Sequence, residues 1–254
     1  MKTSFNRAMV LCVSGFDPSG GAGMLADIKT VNSLGCYGTG VLTANTIQTP
    51  EEFFCCDWIP DHTVLKQLKV LLNCNKIKAI KIGIVQNLAL LDKILDQIRI
   101  TEPEIPVVWD PVISSSTDYR FTKDEMLQDP YLPEVLKKIT MITPNIPEIR
   151  QFASSSSVSE GMKYVTRFTH CYLKGGHSET EKGTDVLHLK GGSTYKISGE
   201  ERILPPKHGS GCVLSSALTC GLATGGDFLT ASRLAKDFTE RFLSSHPSLT
   251  GYHL

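Results

Sequence analysis

Four short segments carry residue types that could do chemistry. The first is Gly15-Phe16-Asp17-Pro18-Ser19-Gly20-Gly21-Ala22-Gly23. It is long and Gly-dense enough for close backbone approach to a ligand, and equally suited to a turn that needs positive φ. No Lys follows its glycines, so it is not a Walker A loop. Within it Gly21-Ala22-Gly23-Met24-Leu25-Ala26 matches the dinucleotide fingerprint. However, six residues separate Gly21 from Ser14 at the preceding strand's end, and the next strand ends on Gln48 instead of a ribose-binding acid. The second segment is Lys207-His208-Gly209-Ser210-Gly211-Cys212-Val213-Leu214, opening a helix. Glycines there let successive backbone N–H groups converge on one anion, and the helix dipole adds positive potential. The same field predicts a lowered pKa for Cys212, making it the most reactive of the eight cysteines. The third is Thr143-Pro144-Asn145-Ile146-Pro147-Glu148, whose amide and carboxylate share one face of a helical turn. That pair suits Mg²⁺ held through its waters, or a plain helix start with Pro147 in the first turn. Asp110, at a strand tip before Pro111, is a second magnesium-side acid. The fourth is Lys174-Gly175-Gly176-His177, a cation beside a Gly-Gly turn, suited to a nucleotide phosphate.

These segments need a scaffold that presents them together. Short β-rich runs at residues 9–13, 41–47, 77–82, 106–110, 139–142 and 171–174 alternate with helical patterns. Helices are predicted over 22–34, from a cap at Asp61 to Asn73, and from Asn87 onward. Thr122 and Glu125 form a capping-box pattern. Repeated βαβ units imply a mainly parallel sheet with right-handed crossovers and helices on both faces. Residues 185–189 and 193–197 flank Lys190-Gly191-Gly192 as a hairpin, and helices over 211–223 and 229–243 follow. In such a sheet ligands bind at the carboxyl ends of the strands, where all four segments lie.

Composition removes several function classes. The 254 residues carry 26 Lys+Arg and 26 Asp+Glu, so no long-range basic field for nucleic acid is expected. No run of about 18 apolar residues occurs, so no membrane partner is expected. The N-terminal stretch has no signal-peptide cleavage pattern, and the eight cysteines include no Cys-x-x-Cys. Both features predict a cytoplasmic protein with reduced thiols. There is no internal repeat and no linker beyond a short Ser154–Ser157 run, so residues 1–254 read as a single domain.

Taken in order, the segments resemble one family. Ser14-Gly15-x-Asp17-Pro18-Ser19-Gly20-Gly21-Ala22-Gly23 is followed by Thr43-Ala44, Lys81-Ile82-Gly83 and Asp110-Pro111-Val112. Thr143-Pro144-Asn145-x-x-Glu148, Lys174-Gly175-Gly176-His177 and His208-Gly209-x-Gly211-Cys212 complete the set. This resembles the hydroxymethylpyrimidine/phosphomethylpyrimidine kinases of the ribokinase-like superfamily, over about residues 9 to 245. The resemblance implies a three-layer α/β fold and a homodimer. It implies MgATP-dependent phosphorylation of 4-amino-5-hydroxymethyl-2-methylpyrimidine and then of its monophosphate, in thiamine diphosphate biosynthesis. By position, Gly15, Asp17, Ala22 and Gln48 would surround the pyrimidine. Gly209, Ser210 and Gly211 would form an anion hole, with Cys212 in the catalytic position. Asn145 and Lys174 would serve the ATP, and Asp110 and Glu148 the Mg²⁺.

The chain departs from the family at Ser114 to Asp118, between Glu148 and Lys174, and at Pro205-Pro206-Lys207 before the anion hole. A pyridoxal or pyridoxine kinase shares the fold and most motifs. The pyridoxal kinases most like this family carry a second Cys in the lid, and residues 114–118 contain none. A non-catalytic vitamin-binding protein is disfavoured by the intact Asn145, Glu148, Lys174 and Cys212.

Overall fold

The computed structural model describes residues 7–74, 76–114, 119–121, 124–152, 157–177, 183–199 and 204–254. In chain order the elements are β1 (Met9–Phe16), α1 (Gly23–Ser33), β2 (Tyr37–Gln48), β3 (Phe53–Trp58) and α2 (Asp61–Leu72). Next come β4 (Ile77–Ile82), α3 (Leu88–Thr101), β5 (Val107–Trp109), α4 (Leu132–Leu136), β6 (Met141–Ile142) and α5 (Ile146–Ile149). The chain continues through α6 (Val158–Val165), β7 (His170–Leu173), β8 (Asp185–His188), β9 (Thr194–Ile197), α7 (Ser210–Ala223) and α8 (Phe228–Ser244).

The strands form one nine-stranded sheet in the order β3-β2-β1-β4-β5-β6-β7-β8-β9. The ladders from β2 through β7 are parallel; β3 pairs antiparallel with β2 at one edge, and at the other β8 pairs antiparallel with both β7 and β9. Strand alternation divides the core. Leu11 and Val13 of β1, with Val107 and Trp109 of β5, pack with α2, α3 and α4 on one face. Val10 and Cys12 face α1, and Val108 faces α7 and α8, on the other. The result is the expected three-layer α/β fold with a mostly parallel central sheet.

Three expectations need correction. Asp61 does not cap α2: the cap position is Pro60 and Asp61 is the first helical residue. The strand expected over 139–142 is hydrogen-bonded in the sheet only at Met141–Ile142. Strand β3 was not foreseen, because Phe53-Phe54-Cys55-Cys56-Asp57-Trp58 is an edge strand without clean apolar alternation. Asn87 does cap α3, its side chain accepting from the Leu90 N–H at 2.9 Å. Thr122 of the capping-box pattern, residues 115–118 and residues 154–156 lie outside the described residues. Among the described residues no helix is long and apolar enough to cross a membrane.

Candidate active site

The loop between β1 and α1 is organised by one buried carboxylate. Asp17 Oδ1 accepts from the Ser19 N–H at 2.8 Å; Oδ2 accepts from Ser19 Oγ at 2.9 Å and the Ala22 N–H at 2.8 Å. His208 Nε2, just ahead of α7, lies 2.8 Å from the same Oδ2. Burial would raise the Asp17 carboxyl, but the hydrogen bonds from His208, Ser19 and Ala22 outweigh it and hold the pKa below the ordinary value. Asp17 therefore latches the glycine loop to the start of α7, and both its oxygens are engaged within the protein.

That latch brings two helix N-termini together. Neither α1, which starts from Ala22, nor α7, which starts from Gly209, has a side-chain cap. Gly209 sits at φ +76°, and a Cβ there would lie 2.0 Å from the Gly21 carbonyl oxygen. Only glycine permits this backbone-to-backbone approach. The Ser210 N–H makes a long bond to the Lys207 carbonyl at 3.4 Å, and without a side-chain cap the first turn of α7 presents positive potential at its start. Gly209, Ser210, Gly211 and Cys212 are thus grouped beside Ala22 and Gly23.

Cys212 does not behave as the helix field alone predicts. Burial pushes its thiol up to about 11. Lys81 pulls it down, the Asp27 and Asp110 carboxylates push it up, and the Gly23 backbone N–H pulls it down. The expectation of a lowered pKa is overturned, because desolvation and two nearby negative charges exceed the pull of Lys81 and of the Gly23 N–H.

On the other side of α7 the ends of β5, β6 and β7 assemble a charged trio. Asp110 Oδ1 accepts from Lys174 Nζ at 2.8 Å and from Thr143 Oγ1 at 3.1 Å. Asp110 Oδ2 accepts from Ser215 Oγ of α7 at 3.2 Å. Lys174 Nζ lies 3.7 Å from Glu148 Oε2. Asn145 caps α5 in a reciprocal capping box: its Oδ1 accepts from the Glu148 N–H at 2.8 Å, and Glu148 Oε2 accepts from the Asn145 N–H at 2.7 Å. An isolated parallel bridge joins Asn145 to Lys174, so the two motifs are held side by side. Burial lowers the Lys174 ammonium pKa, but Asp110 and Glu148 raise it more, so it stays charged. Burial pushes Glu148 up to about 7; Lys174 pulls it down and Asp110 pushes it further up.

These residues fit Mg²⁺ in one mode. Among the described residues no group of three or more His, Cys, Asp or Glu could hold a metal ion. Two pinned carboxylates of hard oxygen, one already neutralised by Lys174, suit an ion bound chiefly by phosphate oxygens and water.

Gly15 and Gln48 stand at the far side of the glycine loop. Gln48 ends β2, half-buried, its Nε2 donating to Thr46 Oγ1 at 2.8 Å. Thr46 Oγ1 donates in turn to the Phe16 carbonyl at 2.8 Å, tying Gln48 to the loop. A Cβ on Gly15 would meet Ile84 Cδ1 at 2.5 Å.

The sequence offers Lys81 only as a motif residue and does not pair it with Asp27 beneath this floor. Lys81 Nζ, fully buried on β4, bonds both oxygens of Asp27 on α1 at 2.8 and 2.9 Å. Ser14 Oγ of β1 and Ser216 Oγ of α7 donate to the same carboxylate at 2.7 and 2.8 Å. Four elements are therefore stitched at one ion pair directly below Cys212. The available signal was Asp27 standing among the apolar residues of α1, with Lys81 inside a strand pattern.

Comparison with known proteins identifies the family. A family model described as phosphomethylpyrimidine kinase matches residues 17–254. The hydroxymethylpyrimidine/phosphomethylpyrimidine kinase of Aquifex aeolicus is 31% identical over 255 residues, covering 97% of this chain and 98% of its own. A phosphomethylpyrimidine kinase structure from Clostridium difficile 630 superposes with a TM-score of 0.76 at 29% identity, covering 91% of this chain and 96% of that one. The pyridoxal kinase of Staphylococcus aureus in complex with AMP-PCP superposes with a TM-score of 0.80 at 25% identity, covering 94% and 88%. With the glycine loop, the open α7 start and the Asp110–Lys174–Glu148 trio all in place, the chain belongs to the phosphomethylpyrimidine kinase family.

Proposed function

We propose that this kinase transfers the γ-phosphoryl group of ATP to 4-amino-5-hydroxymethyl-2-methylpyrimidine, and then to its monophosphate, in thiamine diphosphate biosynthesis. The observation that carries the reading is the convergence of two uncapped helix N-termini, α1 and α7, on a site faced by the Lys174 ammonium. The names of the full-length relatives supply the substrate. On this reading residues 1–254 act as one kinase domain, in the cytoplasm and as a homodimer.

The phosphoryl group passes through a loose transition state, so positioning and charge stabilisation do most of the work. The first-turn N–H groups over Gly209, Ser210 and Gly211 face the oxygens where charge develops. Lys174 neutralises ATP phosphate from the opposite side, with Asn145 holding its loop in register. Glu148 and Asp110 would hold Mg²⁺, which supplies charge neutralisation on the phosphates. Gly15, Ala22 and Gln48 line the acceptor side, and Gln48 offers an amide donor and acceptor to the ring. Asp17 shapes that side through the loop it organises. A thiol with pKa about 11 is protonated at neutral pH, so Cys212 serves as a neutral S–H beside the acceptor oxygen and not as a resident thiolate base. In the first transfer the alcohol's O–H bond breaks as its bond to the γ-phosphorus forms and the bond to the ADP oxygen breaks, and the proton passes to the phosphoryl oxygens or to water. The monophosphate acceptor arrives already ionised and needs no base.

The test is an ATP-coupled assay with the hydroxymethylpyrimidine, its monophosphate and pyridoxal side by side. Turnover of both pyrimidines with higher kcat/KM than pyridoxal is the expected result. Preference for pyridoxal would replace the proposal with a vitamin B6 kinase.

A further inference from the structure

Lys207 marks one of the places where the chain departs from the family pattern, and the structure gives it a specific partner. Its side chain is 6% exposed, and its ammonium donates to the backbone carbonyls of His246 and of Ser248, the latter at 2.7 Å. The next residue continues the contact: the His208 N–H donates to the Leu249 carbonyl at 2.9 Å. Residues 246–249 thus run against the approach to the α7 start. The segment then turns back. The Tyr252 N–H donates to Ser245 Oγ at 2.8 Å, and the His253 ring packs 4.9 Å from that of Phe242 on α8. Its far end is fixed to α1, with His253 Nδ1 2.9 Å from Thr30 Oγ1 and the His253 carbonyl accepting from Ser33 Oγ at 2.6 Å.

We propose that residues 246–253 form a strap that positions the phosphoryl site, and that Lys207 is the positioning residue through which it acts. The inference rests on the reading of the α7 start as the site of phosphoryl charge. Two of the three residues before Ser210 take part directly: Lys207 by side chain, His208 by backbone. His208 also holds Asp17, so the strap reaches the glycine loop through one further contact. Anchoring at Thr30 and Ser33 ties the same segment to α1. One stretch of chain without regular secondary structure therefore meets the approach to α7 directly and is fixed to α1 at its last turn, away from the site. A buried ammonium satisfying two backbone carbonyls is a strong local tie, since charge-assisted hydrogen bonds exceed neutral ones.

The test combines kinetics with hydrogen exchange on the full chain. Lys207→Met should lower kcat by about tenfold with less than about threefold change in pyrimidine KM, because a small misplacement acts on the transition state. Amides of 208–212 and 246–253 should exchange faster together while those of β1 and β4 stay protected, and Lys207→Arg should restore most of the loss. His253→Ala, which removes the Thr30 bond and the Phe242 ring contact of the far anchor and leaves the backbone bond to Ser33, should shift the same two segments in the same direction to a smaller extent and decides the case if Lys207→Met loosens the whole core. Wild-type kcat in Lys207→Met, or release of 246–253 with no change at 208–212 in either variant, overturns the proposal. A wild-type enzyme inactive on both pyrimidines would instead refute the assigned function, while coupled exchange between the two segments would still support the strap.

Discussion

Two glycines two residues apart, Gly209 and Gly211, separate the fold from the chemistry at the α7 start. Gly211→Ala adds a methyl 3.4 Å from Lys174 Nζ and 3.7 Å from Asp110 Oδ2, ordinary contact distances. Its backbone is helical, so the substitution should be neutral or stabilise by up to about 1 kcal/mol. That methyl occupies the space between the helix start and Lys174, where the proposed function puts the phosphoryl group. Displacing the group by about 1 Å should cost about a hundredfold in kcat/KM. Gly209→Ala is the reverse case. The left-handed conformation costs roughly 1–2 kcal/mol and the overlap with backbone roughly 1–3 kcal/mol, so about 2–5 kcal/mol of stability is lost. For a chain of this size that lowers Tm by roughly 4–20 °C. Thermal melts and the coupled assay, run on both variants, separate the two effects. Gly211→Ala that melts like wild type and keeps more than a third of its activity would refute the placement of the phosphoryl site. Gly209→Ala as stable as wild type would refute the close packing of the glycine loop on α7.

Three further outcomes follow from the site. Gln48→Ala should raise the pyrimidine KM several-fold and leave the ATP KM unchanged, since each lost hydrogen bond is worth roughly 0.5–1.5 kcal/mol; equal effects on both would move Gln48 out of the acceptor pocket. In its proposed role beside Mg²⁺ Glu148 must be ionised, and its pKa is raised to about 7, so on that role kcat/KM should fall as pH drops through about 7. Higher Mg²⁺ should move that limb to lower pH by competing with the proton, and a limb unchanged in Glu148→Gln would exclude this carboxylate as its source. At neutral pH the exposed Cys74 should be alkylated well before Cys212, whose labelling should accelerate toward pH 11; selective labelling of Cys212 at pH 7 would restore the helix-field expectation.

The strands and the residues at their ends were legible because parallel strands are short apolar runs and glycine-rich turns punctuate them. Asp110, Asn145, Glu148 and Lys174 were identifiable one at a time, and the sheet order explains why they meet: β5, β6 and β7 are adjacent. What sequence could not show are pairings across long separations. Asp17 and His208 are 191 residues apart, and their contact gives the candidate pyrimidine residue a second part as the latch of its loop. Lys81 and Asp27 each look like a misplaced charge until the sheet brings them together. The Cys212 error has the same origin. A helix start is visible locally, whereas the two carboxylates and the burial that raise its pKa come from α1, β5 and the core.

The buried charges also explain why such a site tolerates loops on its ligand side. Asp27, Lys81 and Asp110 are all fully buried, and each carboxylate accepts from a serine of α7. Breaking such a pair leaves an uncompensated charge in the core, which costs about 3–5 kcal/mol, so these contacts are retained or lost as a unit. They fix α7 to α1 and to the sheet from below, at Ser215 and Ser216, one turn inside the helix. The first turn itself lies beyond that clamp. Its geometry depends on Gly209, on the Asp17–His208 latch and on the contacts of Lys207, all drawn from loops. Precision in the body of the helix and adjustability at its tip are therefore separate properties of this fold, set by different residues and open to separate measurement.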